Sequence, residues 1–393
     1  MKYKYDFDSV ISRKNTSSLK CEPKLYKEVF SNADDNAIPF WVADMDFATA
    51  PCIASAIQKR SEHKIYGYTS PLDDFYKAIL WWQKTRHNFY VKPEDISLFS
   101  GVVSIISHAV RAFSEKGDGI IVQQPVYHPF MSVVLENGRK LVNNELICDS
   151  GEYSVNFDDL EKKASDPNNK MLILCNPHNP IGRVWTKVEL EKIADICYRN
   201  DVLVVSDEIH GDIVLGENEF VSFGTLDEKY VCKSIVCASM TKTFNLAGLT
   251  LGYSMVKDHE LKEKLDKVHN GSHYMVNVFA LEAAKAAYTL DGADWVNELC
   301  RYLTKSSEII ENFLKENLSL TVYKKPQATY LGWIDCSAYV RNDDELKERI
   351  PKSGLLLNYG SGFGNGGNGF VRWNFACPHS VLEKGLSRFK EAF

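Results

Sequence analysis

Four short runs without a charged residue limit what this chain can become. They are Ile120-Ile121-Val122, Met171-Leu172-Ile173-Leu174, Val202-Leu203-Val204-Val205 and Ser234-Ile235-Val236. Runs this short, rich in β-branched residues and apolar at every position but Ser234, suit strands of a parallel sheet covered on both faces. Between two of them, residues 186–200 read as a helix. Thr186 and Glu189 form a capping box at its start, and Leu190, Ile193, Ala194 and Cys197 make an apolar stripe. Strand, helix and strand in series predict an α/β layer fold.

The C-terminal part follows another pattern. A helical stretch at residues 295–318 precedes mixed strands near 329–334 and 369–375, then a last helix. A chain of 393 residues exceeds what one core normally holds, so two domains are expected. The boundaries drawn are 46–285 for a large α/β domain with a mainly parallel sheet, and 1–45 with 286–393 for a smaller α+β domain. Residues 360–369 hold six glycines; they predict either a mobile lid over a site close to Arg372 or a plain surface turn.

The net charge of −6 offers no polycationic surface, which argues against nucleic acid or anionic lipid as partner and leaves small molecules. Ten cysteines, scattered through apparent strands and helices with no CxxC pair, indicate reduced thiols rather than a disulfide scaffold or a zinc site. The start, Met1-Lys2-Tyr3-Lys4-Tyr5-Asp6, lacks a signal peptide's apolar core. The uncharged run 98–110 falls short of the ~20 residues that span a bilayer. A cytoplasmic location and no membrane segment are the expectations.

Several residues can carry chemistry. Lys242 lies between Thr241 and Thr243, directly after an apolar strand. It is either a solvated loop lysine or one whose lowered pKa suits it to form an imine. Asp207 ends the Val202 strand, where an open α/β sheet presents ligand-binding groups. A carboxylate there, ~4 Å from a ring cation at an effective dielectric near 20, contributes about 4 kcal/mol, enough to keep the ring protonated. An N-cap aspartate is the competing reading. A metal site at Asp207, Glu208, His210 and Asp212 lacks the histidine spacing of a zinc helix, and no metal is expected.

Asn176, in a turn set by two Asn-Pro steps, is an amide donor for an oxyanion. Residues 100–104 place small residues before a helix, whose N–H groups suit a phosphate. Tyr127 offers an aromatic face, or is half-buried core. Arg372, in an apolar strand, needs either a carboxylate ligand or an internal salt bridge.

In this order these segments resemble fold-type I pyridoxal-phosphate (PLP) enzymes, the aspartate aminotransferase-like superfamily, and within it the MalY/PatB group of cystathionine β-lyases and cysteine-S-conjugate β-lyases. The points of similarity are residues 41–47, 67–69, 101–103, 125–127, 176–180, 206–210, 242–245 and Arg372. The resemblance implies that Lys242 carries pyridoxal 5'-phosphate as a Schiff base and moves the proton, that Asp207 partners the ring nitrogen, and that Asn176 donates to the phenolic oxygen and helps bind substrate. It further implies that Tyr127 stacks on the ring and acts in catalysis, and that Arg372 holds the substrate carboxylate. Val102, Val103, Ser239 and Thr241 would bind phosphate. Tyr68, in preference to Tyr66, would join them from the other subunit of a homodimer.

Two departures from the aminotransferase pattern favour the lyases. His210 stands where aminotransferases usually carry a tyrosine beside the cofactor's phenolic oxygen, and Thr250 where many carry a phosphate-binding arginine. The activity implied is α,β-elimination from L-cystathionine or another L-cysteine conjugate, giving pyruvate, ammonia and a thiol. The rivals are transamination of an amino acid and an added regulatory role through protein contact. His128, where some lyases have a second tyrosine, leaves the acid for the leaving group open.

Overall fold

The computed structural model describes residues 3–393. The four runs form strands, joined by three more into a seven-stranded sheet. In chain order the strands are β1 (Ile96–Phe99), β2 (Gly119–Val122), β3 (Lys140–Asn143), β4 (Asn169–Cys175), β5 (Leu203–Asp207), β6 (Ser234–Ala238) and β7 (Gly252–Met255). Their spatial order is 1-7-6-5-4-2-3. Pairs β3–β2, β2–β4, β4–β5 and β5–β6 are parallel, while β7 runs antiparallel to both neighbours.

Alternation along each strand explains the uninterrupted apolar runs. Ile121, Leu172, Leu174, Val204 and Val236 face one buried cluster. Ile120, Val122, Met171, Ile173, Val205 and Ile235 face the other. The capping box opens the helix Lys187–Arg199, with the Thr186 side chain accepting from the Glu189 N–H. That helix buries Leu190, Ile193, Ala194 and Cys197 in the first cluster, and helix Val102–Phe113 buries Ile105, Ile106, Ala109 and Val110 in the second. Both faces of the sheet are covered, as a parallel sheet requires.

A second, four-stranded antiparallel sheet contains β8 (Val322–Tyr323), β9 (Leu331–Asp335), β10 (Asn358–Tyr359) and β11 (Phe370–Asn374) in the order 8-9-11-10. The helices Leu290–Asn317 and His379–Lys390 accompany it in the chain, and Ile38–Pro39 pairs in parallel with Leu355–Leu356. All ten cysteines are free thiols. Among the described residues no helix is long and apolar enough to cross a membrane, and no group of three or more His, Cys, Asp or Glu is placed to hold a metal ion.

The glycine-rich segment, read as either a lid or a surface turn, is anchored at several points. Asp343 accepts from the Ser361 and Gly369 N–H groups, each at 2.7 Å, and Gln124 accepts from the Asn365 N–H at 2.9 Å. A Cβ on Gly360 would lie 1.9 Å from the Gly367 carbonyl oxygen. The glycines allow the loop's two arms to touch backbone to backbone, and the loop seats Phe363, buried, beneath the Arg372 guanidinium at 5.0 Å.

Candidate active site

Strand register gathers the predicted residues at one edge of the large sheet. Cys175 pairs with Asp207, Asp207 with Cys237, Ala238 with Tyr253, and Gly252 with Phe99. The residues just past those strand ends, Asn176, Ser239 and Gly101, therefore emerge side by side with Asp207. This is the carboxyl edge of the parallel strands, where open α/β sheets bind ligands.

Ser239 follows β6 and caps a single helical turn, Met240–Thr243, its Oγ accepting from the Thr241 N–H at 3.0 Å. That turn lifts Lys242 onto the edge. The lysine is half-buried, and its Nζ donates to the Ala43 carbonyl at 2.5 Å. Burial and the Arg372 charge lower its pKa to about 8, against the pull of Asp44 and Asp207. The solvated-lysine reading falls away.

Asp207 is 4% exposed, and among the described residues its carboxylate accepts only from the Ile209 N–H, at 3.0 Å. Among the described residues it has no ion-pair partner, and burial raises its pKa to about 7 despite that bond and the Lys242 charge. Close by, His210 is buried with its Nδ1 unpartnered, and its pKa is lowered to about 3 by burial, Lys242 and Arg372. It is a neutral imidazole.

Arg372 is 3% exposed on β11 and forms no ion pair among the described residues. Its guanidinium donates to three neutral acceptors: Asn179 Oδ1 at 3.2 Å, the Trp41 carbonyl at 2.9 Å and Asn358 Oδ1 at 2.6 Å. Among the described residues its Nε has no partner. Burial lowers its pKa to about 10, so it remains charged at neutral pH. The internal salt bridge anticipated as one reading is absent. A buried cation left without an anion costs several kcal/mol, which a carboxylate ligand would offset.

The two Asn-Pro amides differ in their surroundings. Asn176 is buried, one N–H of its Nδ2 donates to the Val221 carbonyl at 2.9 Å, and among the described residues its shielded Oδ1 has no partner. Asn179, from the second Asn-Pro step, is the amide in contact with Arg372, and among the described residues its Nδ2 donates to nothing. Both Asn-Pro peptide bonds are cis. Between the two amides, His178 donates from Nε2 to the Pro125 carbonyl at 2.9 Å, its pKa lowered to about 4 by burial. This bond and the Val126 N–H to Phe363 carbonyl bond hold the turn that carries Tyr127. The Tyr127 hydroxyl is shifted upward by burial, against the Arg372 charge, and so stays protonated. His128 packs beside that ring, its centroid 5.2 Å away.

At the β1 end, Gly101 caps the helix Val102–Phe113 with no side-chain acceptor, so the N–H groups of its first turn, Val102 and Val103 included, have no cap. A Cβ on Gly252 would lie 2.8 Å from the Gly101 carbonyl carbon and 3.0 Å from the Val102 nitrogen. Beside this backbone cradle, the Ser239 and Thr241 hydroxyls touch at 2.7 Å. Free N–H groups and two hydroxyls suit a phosphate. Tyr68 does not join them within one chain. It is 95% exposed, on a stretch that also exposes Ile65, Tyr66 and Leu72.

The donor set fits pyridoxal phosphate. A buried carboxylate without a cation would suit a ring N–H, the lysine with its lowered pKa an aldehyde, and the helix N-terminus a phosphate. A separate cavity of about 980 Å³, lined by Arg86, His87, Asp212 and Cys300 among others, contains none of the predicted site residues.

Comparison with known proteins agrees with this geometry. The family model for aminotransferase class I and II matches residues 36–389. Cystathionine beta-lyase PatB of Bacillus subtilis is 40% identical over 98% of this chain and 99% of its own. Cystalysin from Treponema denticola, whose crystal structure contains pyridoxal 5'-phosphate, superposes with a TM-score of 0.95 at 34% identity, covering 99% of this chain and 98% of that one. The PLP-bound C–S lyase from Staphylococcus hominis superposes with a TM-score of 0.91 at 32% identity, with the same coverage.

Proposed function

The chain belongs to the aminotransferase class I and II family, and from that premise we propose that it is a pyridoxal-phosphate-dependent carbon–sulfur β-lyase acting on L-cystathionine or a related L-cysteine conjugate. The observation that carries the reading is Arg372, buried without a counter-anion, in electrostatic reach of Lys242. An α-carboxylate would complete it.

In this reading Lys242 anchors the cofactor, and Asp207 holds the proton on its ring nitrogen. Asn179 donates to its phenolic oxygen, a role the geometry favours over the Asn176 assignment. His210 stays neutral beside it, Tyr127 covers the ring, and Val102 N–H, Val103 N–H, Ser239 and Thr241 hold the phosphate. The bound cofactor supplies a protonated ring that takes up the electron pair released when the substrate's Cα–H bond breaks. Arg372 orients the substrate by a two-point grip on its carboxylate. The Lys242 amine, its pKa lowered to about 8 so that a usable fraction is unprotonated near neutral pH, takes the proton from Cα. The Cβ–S bond then breaks, the sulfur leaving with the electron pair as a thiolate, and the remaining three-carbon unit is hydrolysed to pyruvate and ammonia.

Two further assignments accompany this. Residues 46–285 form the cofactor domain, and 1–45 with 286–393 the smaller one. The exposed Tyr68 stretch is the face of a homodimer, through which Tyr68 reaches the partner's phosphate site. Support comes from its exposure beside Ile65, Tyr66 and Leu72, which a monomer would leave wet.

Incubation with L-cystathionine, without and with an added 2-oxo acid, tests the reading. Pyruvate and a thiol should form with no acceptor present. Amino-group transfer without thiol release would replace the lyase by an aminotransferase. Absence of a borohydride-trapped adduct on Lys242 would remove both.

A further inference from the structure

One carbonyl oxygen near the site serves two donors. Ala43 O accepts the Lys242 Nζ at 2.5 Å and the Tyr330 hydroxyl at 2.9 Å. Tyr330 is wholly buried, and burial shifts its phenol upward, so it is always a donor. Its ring meets His210 edge to face, with centroids 5.8 Å apart. The tyrosine is bolted from two sides. Thr329, at φ +73°, donates its N–H to the Ile213 carbonyl at 2.8 Å, and the Tyr330 carbonyl accepts from the Phe375 N–H at 2.9 Å.

The segment that presents Ala43 is stitched with equal care. Asn374 Nδ2 donates to the Val42 and Asp44 carbonyls, Arg372 to that of Trp41, and Asn245 to those of Met45 and Phe47. The Ala43 oxygen thus has little freedom to follow either donor.

We propose that Tyr330 is a positioning residue: by sharing the Ala43 carbonyl with Lys242, it fixes where the ε-amino group docks and keeps that oxygen a weak acceptor that gives the ammonium little advantage over the amine. The proposal rests on Lys242 being the base of the reaction. An amine that donates one N–H to a fixed acceptor has its lone pair directed elsewhere. A carbonyl already bonded to a hydroxyl accepts more weakly, and an ammonium loses more by this than an amine does. The groups facing Lys242 include Arg372 from β11, Asp44 from the N-terminal segment, and Asp207 and His210 from the end of β5 and its loop. Tyr330 acts within this balance through a dipole, adding no charge.

The test is the titration midpoint of Lys242 in the cofactor-free, full-length chain, read by NMR of lysine labelled with ¹³C at Cε and assigned by its loss in Lys242→Arg. Tyr330→Phe should raise that midpoint by about half a pKa unit. The acid limb of kcat for cystathionine cleavage should move the same way in the loaded enzyme. Tyr26→Phe is the matched control, because Tyr26 is a buried tyrosine donating to the Asp34 backbone carbonyl at 2.8 Å, outside the site; it should leave the midpoint in place. Placing 3-fluorotyrosine at position 330 keeps the packing and strengthens the donor, so it should lower the midpoint, and it keeps the test alive if Tyr330→Phe does not fold. A midpoint unmoved by either change, or moved in the opposite sense, overturns the proposal. A wild-type protein that cleaves no cystathionine would sink the proposed function while leaving this titration readable.

Discussion

Two clusters of buried charge lie close together in this molecule, and they are treated in opposite ways. In the first, Arg13 and Lys20 meet Asp44 and Asp46: Arg13 Nη2 lies 2.6 Å from Asp44 and its Nη1 3.0 Å from Asp46, with Lys20 Nζ 2.8 Å from Asp46. Two cations face two anions. Burial alone would push Lys20 down and Asp44 up, but their partners outweigh it, and both remain in their charged forms. In the second cluster, Lys242, Asp207 and Arg372 form no ion pair among the described residues, and each is shifted toward its neutral form. The first neutralises itself and clamps a segment of chain. The second is left incomplete, and a buried site with unpaired charges is complete only with a ligand in place.

Matched substitutions expose this difference most sharply. Arg372→Met should reduce kcat/KM by about a thousandfold, because a two-point carboxylate grip is lost from a dry site. The same change should leave the stability of the cofactor-free protein within about 1 kcal/mol of wild type, since the buried cation it removes had no counter-anion. Steady-state kinetics and urea unfolding read the two quantities. A large loss of stability would place Arg372 with the clamp instead.

How much of this was legible beforehand follows from the locality of each signal. The core strands announced themselves because the middle of a strand covered on both faces excludes charge. Lys242, Asp207 and Arg372 were legible for the related reason that a charge beside such a strand requires an explanation. Strand β7 was missed; its four residues, Gly252–Met255, carry one aliphatic-like side chain at the end and one tyrosine, and only pairing on both sides makes it a strand. Asn176 and Asn179 carry the same local signal, an Asn-Pro step, and which amide faces Arg372 is decided by the direction of the turn. Tyr330 reads as ordinary core, because its partner lies 287 residues away. Lys20, in a polar stretch, reads as solvated although it is fully buried. The glycines of 360–369 suggested motion, but close contact between the loop's arms is what requires them.

Asp207 gives a pH test of the incomplete cluster. Its carboxyl titrates near 7 when folded and near the ordinary ~3.9 when unfolded. Between those values the folded chain holds a proton the unfolded chain has lost, so this group's contribution to stability falls as pH rises. His210 and His178, lowered to about 3 and about 4 by burial, contribute in the opposite sense below about 6.5 and mask the effect in wild type alone. The difference between Asp207→Asn and wild type, both cofactor-free, isolates it. The variant's advantage should be nearly absent near pH 4, open through pH 7 to about 4 kcal/mol, and stay level above. Thermal unfolding across that range reads it. A gap that does not vary with pH would mean that Asp207 already has a partner.

The smallest effects belong to the self-neutralised cluster, and their order is the point. Lys20 is fully buried, whereas the Arg13 side chain is 24% exposed. Lys20→Met leaves Asp46 with Arg13 alone and should destabilise the chain by about 2 kcal/mol, below the full value for breaking a buried pair because both aspartates keep some contact with water. Arg13→Met removes a cation that water can partly replace and should cost about 1 kcal/mol. Added salt should shrink the second cost more than the first, since screening acts on the more exposed pair. Urea unfolding at low and high salt measures both. If Arg13 proved the costlier loss, geometry and not burial would govern this clamp, because Arg13 is the residue that grips both carboxylates closely.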